Sequence, residues 1–442
     1  MINLLNNNAK IIIFVLLLIV IATACFQNNF LKFSDKNLFF EFGKESEALV
    51  IGGIVADDFS LDKKGANIGF ISKDDVFKYP KNKLDGYAVF SGKTKNTKLV
   101  FAPYKSQYGV QGVVFSKIHR IFGFNGLYQL QSINSILLAI VVVSLFFLYR
   151  HIYDNRFAVI FLITMLSSPW IVSFARNLYW VPFLWFLPAL LAAIMYLKKG
   201  VVVCSILLLG IVASVFIKSL AGYEYLSTIT LFACSVFMVA PFFKTSDRDL
   251  PGNLRLFVLV FIACVIGFVC ALLVHANMRG DTILSGLKNI LEQDVKRRTY
   301  GDSSLFAPVY KASLESSPLA VIKTYVISWG TPLVAWLPGK LFKFLICFAS
   351  IGILYKFSTK HITMKREAIL LVFFFIVPAS WFVLAKGHSY IHTQLNYVLW
   401  YFGFVQALIY VTLNTIIIFL LYLFKLVKIA NAKDSALWKQ DL

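Results

Sequence analysis

Stretches of about twenty residues with almost no charge recur along this chain, and they decide what it can fold into. A run longer than roughly 18 apolar residues is long enough to cross a bilayer as a helix. In lipid, every backbone N–H and C=O must be satisfied within the segment, which leaves runs like these only the helix. With 59% of its 442 residues apolar, the sequence reads as an all-α polytopic membrane protein of about 10 transmembrane helices. The expected spans are Ile11–Cys25, Leu130–Tyr149, Phe157–Ala175, Tyr179–Leu197, Val201–Ile217, Tyr225–Phe243, Leu256–His275, Leu341–Lys356, Ile369–Ala385 and one within Tyr397–Phe424.

Charge sets the orientation. The short basic clusters Arg150–Arg156, Lys198–Lys199, Lys244–Arg255, Lys356–Arg366 and Lys425–Lys433 all fall on one side of this arrangement. The positive-inside rule makes that side cytoplasmic, so both termini are expected there. The formal charge of +21 is therefore read as membrane-side charge, suited to anionic head groups and phosphates and not to nucleic acid. The six cysteines, at positions 25, 204, 234, 264, 270 and 347, lie in or beside apolar runs and read as small hydrophobes without disulfides. Met1–Cys25 ends in Ala-Thr-Ala-Cys, as a lipoprotein signal does, but its long apolar core favours an uncleaved first helix.

The organisation follows: residues 1–25 as the first helix, 26–122 as an outer loop with a juxtamembrane amphipathic helix, and 123–275 as helices two to seven. Residues 276–340 are read as a second outer loop, and 341–442 as helices eight to ten with a cytoplasmic tail. In the first loop, the runs Ala48–Val55, Ile68–Ser72, Tyr87–Ser91 and Leu99–Pro103 read as short strands between turns. Leu319–Pro338, with Lys323, Gly330 and two prolines, reads as an interfacial or re-entrant segment.

Counting acids locates any carboxylate chemistry. Of 22 Asp and Glu residues, ten lie in the first outer loop, five in the second, and six on the cytoplasmic side. Glu224, near a span end, is the remaining one. An acid-dependent reaction is thus expected on the outer face. The stretch EALVIGGIVADDFSLD (47–62) carries the adjacent pair Asp57 and Asp58. The pair reads either as a general base or metal-holding site, with Mg or Mn as the ion, or as a solvated turn. Asp74–Asp75, flanked by Lys73 and Lys78, reads as a solvated turn.

Other polar groups mark the same face. YKSQYGVQGVVF (104–115) sets Lys105, Gln107 and Gln111 around two glycines, either as a lip for a sugar or head group or as a plain loop-to-helix junction. Arg176, in the turn SFARNLYW, offers a forked guanidinium that suits phosphate. KSLAGYEY places Lys218 and Glu224 six residues apart, as an ion pair or a phosphate site. EQDVKRRTY carries Lys296, Arg297 and Arg298, as a solvated helix face or a phosphate clamp. In KGHSYIHTQLNYVLW, His388, His392 and Asn396 recur at four-residue steps, one face of a helix, but without a zinc-protease pattern. No phosphate-binding P-loop, dinucleotide fingerprint, nucleophile elbow or paired-cysteine metal motif occurs.

One helix, a long acid-bearing outer loop, an amphipathic juxtamembrane helix and then many spans with short outer turns: this layout resembles the GT-C class of integral-membrane glycosyltransferases, of the bacterial surface-polysaccharide type. The resemblance implies a bacterial inner-membrane enzyme that uses a polyprenyl-phosphate-linked sugar and a glycan, lipid or protein acceptor. It carries the loop-one acid onto Asp57 or Asp58. It carries the phosphate binders onto Arg176, Lys218, the Lys296–Arg298 cluster or His388 and His392. Three other readings stay open: a polysaccharide polymerase or ligase that holds lipid pyrophosphate by arginines, a non-enzymatic membrane assembly protein, and a lipid-linked-sugar flippase or other transporter. The last would need polar residues through the spans, which are nearly clean of charge.

Overall fold

The structure, a computed structural model, describes residues 2–72, 82–93, 98–124, 126–243 and 249–437. Asp74, Asp75, Lys244 and Arg248 lie outside the described residues. Helix α1 (Ile2–Asn28) leads into a polar segment holding α2 (Lys36–Phe40), α3 (Lys44–Asp58), β1 (Gly69–Ser72), α4 (Asp85–Phe90), β2 (Val100–Pro103) and α5 (Val110–Phe122). There follow α6 (Leu127–Ile152), α7 (Asn155–Ser167), α8 (Pro169–Ala175), α9 (Phe183–Leu197), α10 (Val201–Ala221), α11 (Leu226–Val239) and α12 (Leu250–Arg279). A second polar segment carries α13 (Ile283–Ile290), α14 (Lys296–Arg298), α15 (Lys311–Glu315) and α16 (Pro318–Ile327). The chain ends in α17 (Phe342–Ser358), α18 (Met364–Leu384), α19 (Lys386–Ile391), α20 (Thr393–Asn396) and α21 (Phe404–Leu437).

Among the described residues, seven helices are long and apolar enough to cross a membrane, and an eighth follows if α7 and α8 count as one bent span. The 63° bend between those two has a local cause. Pro169 cannot donate back into α7 and holds Ser168 in an extended conformation. The Ser168 hydroxyl then accepts the Ile171 N–H at 3.1 Å and starts α8. The apolar runs expected at Tyr179–Leu197 and Tyr225–Phe243 form the shorter helices α9 and α11. Large apolar side chains such as Leu17, Val202, Ile266, Leu354 and Leu421 stand exposed on the long helices, as a hydrocarbon-facing surface requires. The interior is aromatic: Phe186 stacks on Phe402 at 4.7 Å and Tyr325 on Phe382 at 4.3 Å.

The first polar segment departs from the sequence reading. Ala48–Val55, expected as a strand, lies in α3 and is buried throughout. Its β-branched residues follow their surroundings and not their propensity. Gly52 and Gly53 are the reason α3 can lie directly on the backbone beside β1. A Cβ on Gly53 would sit 2.5 Å from the Asn67 carbonyl oxygen, and one on Gly52 would run into that of Gly69. Tyr87–Ser91 is likewise helical, in α4, up to Phe90. β1 and β2 pair antiparallel with Gly69 opposite Pro103. The stretch Leu319–Pro338 contains most of α16 and a short irregular hairpin, Pro332–Val334 with Leu337–Pro338.

A groove with a polar head as the candidate functional site

Between α11, α12 and α18 runs a groove of about 690 Å³. Leu231, Phe261, Cys264, Phe268 and Leu272 make its walls apolar. It follows α12 from Leu272 to Phe261, which at the ~1.5 Å rise of a helix is about 16 Å. At the end nearest the polar segments its lining changes to Tyr223, Glu224, Asp294, Arg298, Trp381 and His388.

The basic side of this head is built by an irregular turn. After α13 the backbone widens into a single π-helical turn, Leu291–Val295, before α14; such turns are rare and concentrate at functional sites. The turn carries Asp294, which is buried. Asp294 faces three guanidinium groups, those of Arg279 at 3.1 Å, Arg297 at 3.5 Å and Arg298 at 3.6 Å. Arg279 in turn donates to the Lys105 carbonyl, and the His275 ring lies 3.0 Å from the same oxygen. Burial works against the charge on Arg298, but Tyr104, Asp294, Glu224 and Tyr179 together outweigh it and hold its pKa above the ordinary value. Arg297 lies over the Tyr310 ring and donates to its hydroxyl at 3.3 Å.

The acidic side comes from the turn between α10 and α11. Glu224 is buried, 4.0 Å from the Lys218 ammonium. Lys218 donates to the Gly222 carbonyl at 2.6 Å. A Cβ at Gly222 would fall on the Glu224 carboxylate and lie 2.7 Å from Gln107 Oε1, so any larger residue there would push both side chains aside. Gln111 ties this turn to the next one by donating to Ala221 O at 2.9 Å and Tyr179 O at 3.2 Å.

The histidines complete the head. The stretch expected as one continuous helical face is broken at His392, between α19 and α20. His388 and His392 still lie close together, with ring centres 4.8 Å apart and the rings tilted at 47°. Burial depresses the pKa of both, and Arg298 adds to the effect, so both rings are held neutral. His388 Nδ1, Trp381 Nε1 and Gln107 Nε2 are buried and meet no hydrogen-bond partner within the protein. A buried polar atom left so is costly unless something else supplies its partner. Asn396 is engaged elsewhere: it donates to the Tyr325 hydroxyl at 3.2 Å, and Tyr325 donates to Ser389 O at 2.6 Å, which anchors α19.

Of the residues singled out from sequence, Glu224, Arg298 and His388 line the groove. Lys218, Gln107 and His392 lie against that head, and Lys105, Gln111 and Arg297 brace it. Asp57 and Asp58 are not brought to it. They end α3, where Asp57 meets Lys63 at 2.6 Å and Asp58 meets His119 at 3.0 Å and Arg120 at 3.7 Å. Carboxylates already facing cations are a poor fit for a divalent ion, and no group of three His, Cys, Asp or Glu among the described residues is arranged to hold one.

Arg176 lies in a separate cavity with an acid the sequence reading passed over. Glu47, the first residue of EALVIGGIVADDFSLD, is buried. It accepts from the Leu178 N–H at 2.9 Å, from the Tyr87 hydroxyl at 2.9 Å and from Gln131 at 3.0 and 3.1 Å. Burial raises its pKa against these contacts and against nearby Arg176. Asp294, Arg279 and Tyr223 were also passed over. Asp294 alone carried a signal, an acid followed two to four residues later by three bases.

No protein-family model, curated protein or solved structure matches this chain. The fold and groove define a multi-pass helical membrane protein with a charged, partly unsatisfied head above an apolar channel.

Proposed function

We propose that this protein is a membrane glycosyltransferase that takes a sugar from a polyprenyl-phosphate donor and passes it to a glycan, lipid or protein acceptor on the outer face. The observation that carries the reading is the groove: an apolar trough lying along α12 that ends at Arg298, Glu224 and His388. A long isoprenoid tail suits the trough, and a phosphate suits the head. In this reading α7 with α8 is one span, and α9 and α11 complete ten spans, with both termini cytoplasmic.

The chemistry follows from the charges. Glu224 takes the proton of the acceptor hydroxyl as its oxygen bonds to the anomeric carbon. The bond from that carbon to the phosphate oxygen breaks, and its electron pair leaves with the phosphate. Arg298 sits where this negative charge develops, and a preorganised cation there lowers the barrier. Neutral His388 and His392 add N–H donors. The outcome is inversion at the anomeric carbon. Asp58 then serves to hold α3 against α5 through His119 and Arg120, while Asp57 pairs with Lys63 just beyond the helix.

A polymerase or ligase is the second reading, favoured by the convergence of Arg279, Arg297 and Arg298 on Asp294. Cells carrying Glu224→Gln, Arg298→Gln or the double variant Asp57→Asn/Asp58→Asn separate the readings by their surface glycan at equal protein level. The glycosyltransferase reading expects loss with the first two and retention with the third. Retention with Glu224→Gln and loss with Arg298→Gln favours the polymerase or ligase. Loss with the Asp57/Asp58 variant alone returns the base to that pair.

A further inference from the structure

A second cavity, of about 390 Å³, lies on the other side of the turn that joins α8 to α9. That turn is a partition. On one side Asn177 donates to Gly43 O at 3.2 Å and the Leu178 N–H donates to Glu47. On the other, Tyr179 gives its carbonyl to Gln111 and shares the electrostatic field of Glu224 and Arg298. The second cavity is therefore a site of its own, lined by none of the groove's residues.

Its walls select a ligand class. Arg176 lies over the rings of Phe39, 4.1 Å from the centroid, and Phe40, 5.1 Å away. It donates to Phe39 O at 3.2 Å, which leaves most of the donors of a guanidinium fork for something else. Lys36 stands at the rim and is exposed. The two acids in the lining are already committed. Glu41 pairs with Lys44 at 3.1 Å, and Glu47 is taken by Leu178, Tyr87 and Gln131. Among the described residues no carboxylate lies within ion-pairing distance of Arg176 or Lys36. The cavity thus presents the positive charge of Arg176 and Lys36 beside aromatic rings, and among the described carboxylates only buried Glu47 is near enough to Arg176 to share its field. The Ser173 hydroxyl is held by Pro169 O and Ser34, and the Asn177 amide by Gly43 O.

We infer that this cavity is a binding site for a small hydroxyl-rich anion, a sugar bearing a carboxylate or a phosphate, with Arg176 on the anionic group. The anionic part follows from Arg176 and Lys36. The sugar ring follows from the aromatic residues in the lining, Phe40, Phe42 and Tyr87, against which the C–H face of a ring can lie. The inference stands apart from the lipid-phosphate groove, and either can fail without the other.

The test uses the full chain in lipid nanodiscs, with glucuronic acid, glucose 1-phosphate and glucose as probes in calorimetry. One of the two anionic sugars is expected to bind at least roughly tenfold more tightly than glucose, the scale of one charge-assisted contact. Arg176→Gln should remove that preference, and Lys36→Gln, at the exposed rim and so harmless to folding, should weaken it. Arg298→Gln, in the groove, should leave it intact. The inference is overturned if glucose binds as tightly as both anions, if no probe binds, or if the preference survives Arg176→Gln. Loss of the preference with Arg298→Gln instead would place the anion in the groove and also overturn it. A melting curve for Arg176→Gln that matches the parent confirms that the loss is local; if it does not match, the Lys36→Gln result decides.

Discussion

Replacing Arg298 with glutamine is the perturbation that most isolates the head of the groove. The structure says the fold should tolerate it. Asp294 keeps Arg279 at 3.1 Å and Arg297 at 3.5 Å, so it is not left as an uncompensated buried charge. What is lost is the guanidinium that lines the groove. A hydrogen bond to a charged group contributes ~1.5–3 kcal/mol, so phosphate affinity should fall by about 10- to 150-fold. The assay is titration of a short polyprenyl phosphate, and separately of the matching polyprenol, into nanodisc-embedded protein. The phosphate should lose affinity while the alcohol, which binds only through its tail, changes little. Equal loss for both would mean that the variant deforms the groove. No loss for the phosphate would mean that Arg298 does not meet it, and the assignment of the head would be refuted.

Other outcomes follow from the same geometry. Leu231→Trp, which fills the trough without touching a charge, should weaken binding of phosphate and alcohol alike in the same titration. Because burial and Arg298 hold the folded-state pKa values of His388 and His392 below the ordinary one, the unfolded chain takes up more protons as pH falls below about 6.5. Melting temperature should therefore drop on acidification through that window, and Arg298→Gln, which relieves both rings, should flatten the drop. Gly222→Ala should displace Glu224 and Gln107, and cost surface glycan while leaving the protein inserted at normal level. At the opposite end of the helices, Lys356 and Glu367 form a wholly buried ion pair, with Thr415 accepting from Lys356 at 2.9 Å. Glu367→Gln strands the lysine charge and should cost about 3–5 kcal/mol; the double variant Lys356→Met/Glu367→Met should recover most of it, read as thermal half-life in detergent.

How much of this was legible in the sequence depends on which interaction decides each element. Seven of the expected spans were, or eight with α7 and α8 as one, because length and apolarity alone make a bilayer helix; the runs at Tyr179–Leu197 and Tyr225–Phe243 form the shorter α9 and α11. The head of the groove was legible in pieces: Glu224, Arg298, His388 and His392 each stand out as ionisable groups beside apolar runs. Their convergence depends on how α10, α11, α12 and α18 pack, which no local pattern encodes. The first polar segment misled for a definite reason. LVIGGIV has the composition of a strand, yet its two glycines serve a helix lying on the backbone next to β1. That error also hid Glu47. On a strand, the eye goes to the adjacent pair Asp57–Asp58. On α3 those residues sit at the far end, ~15 Å from Glu47 at ~1.5 Å per residue. Asp294 escaped notice because an acid among three bases reads as a solvated surface, whereas here the π-helical turn folds it inward.

The central claim is that the groove along α12 holds a lipid whose phosphate meets Arg298. A polyprenyl phosphate with a photoreactive diazirine in its tail, activated in nanodiscs and mapped by peptide sequencing, tests it most directly. The account predicts labels concentrated on Leu226–Leu231 and Phe261–Leu272, displaced by unlabelled polyprenyl phosphate and reduced by Arg298→Gln. Labels spread evenly over lipid-facing helices such as α1 and α17, and indifferent to competitor, would contradict it.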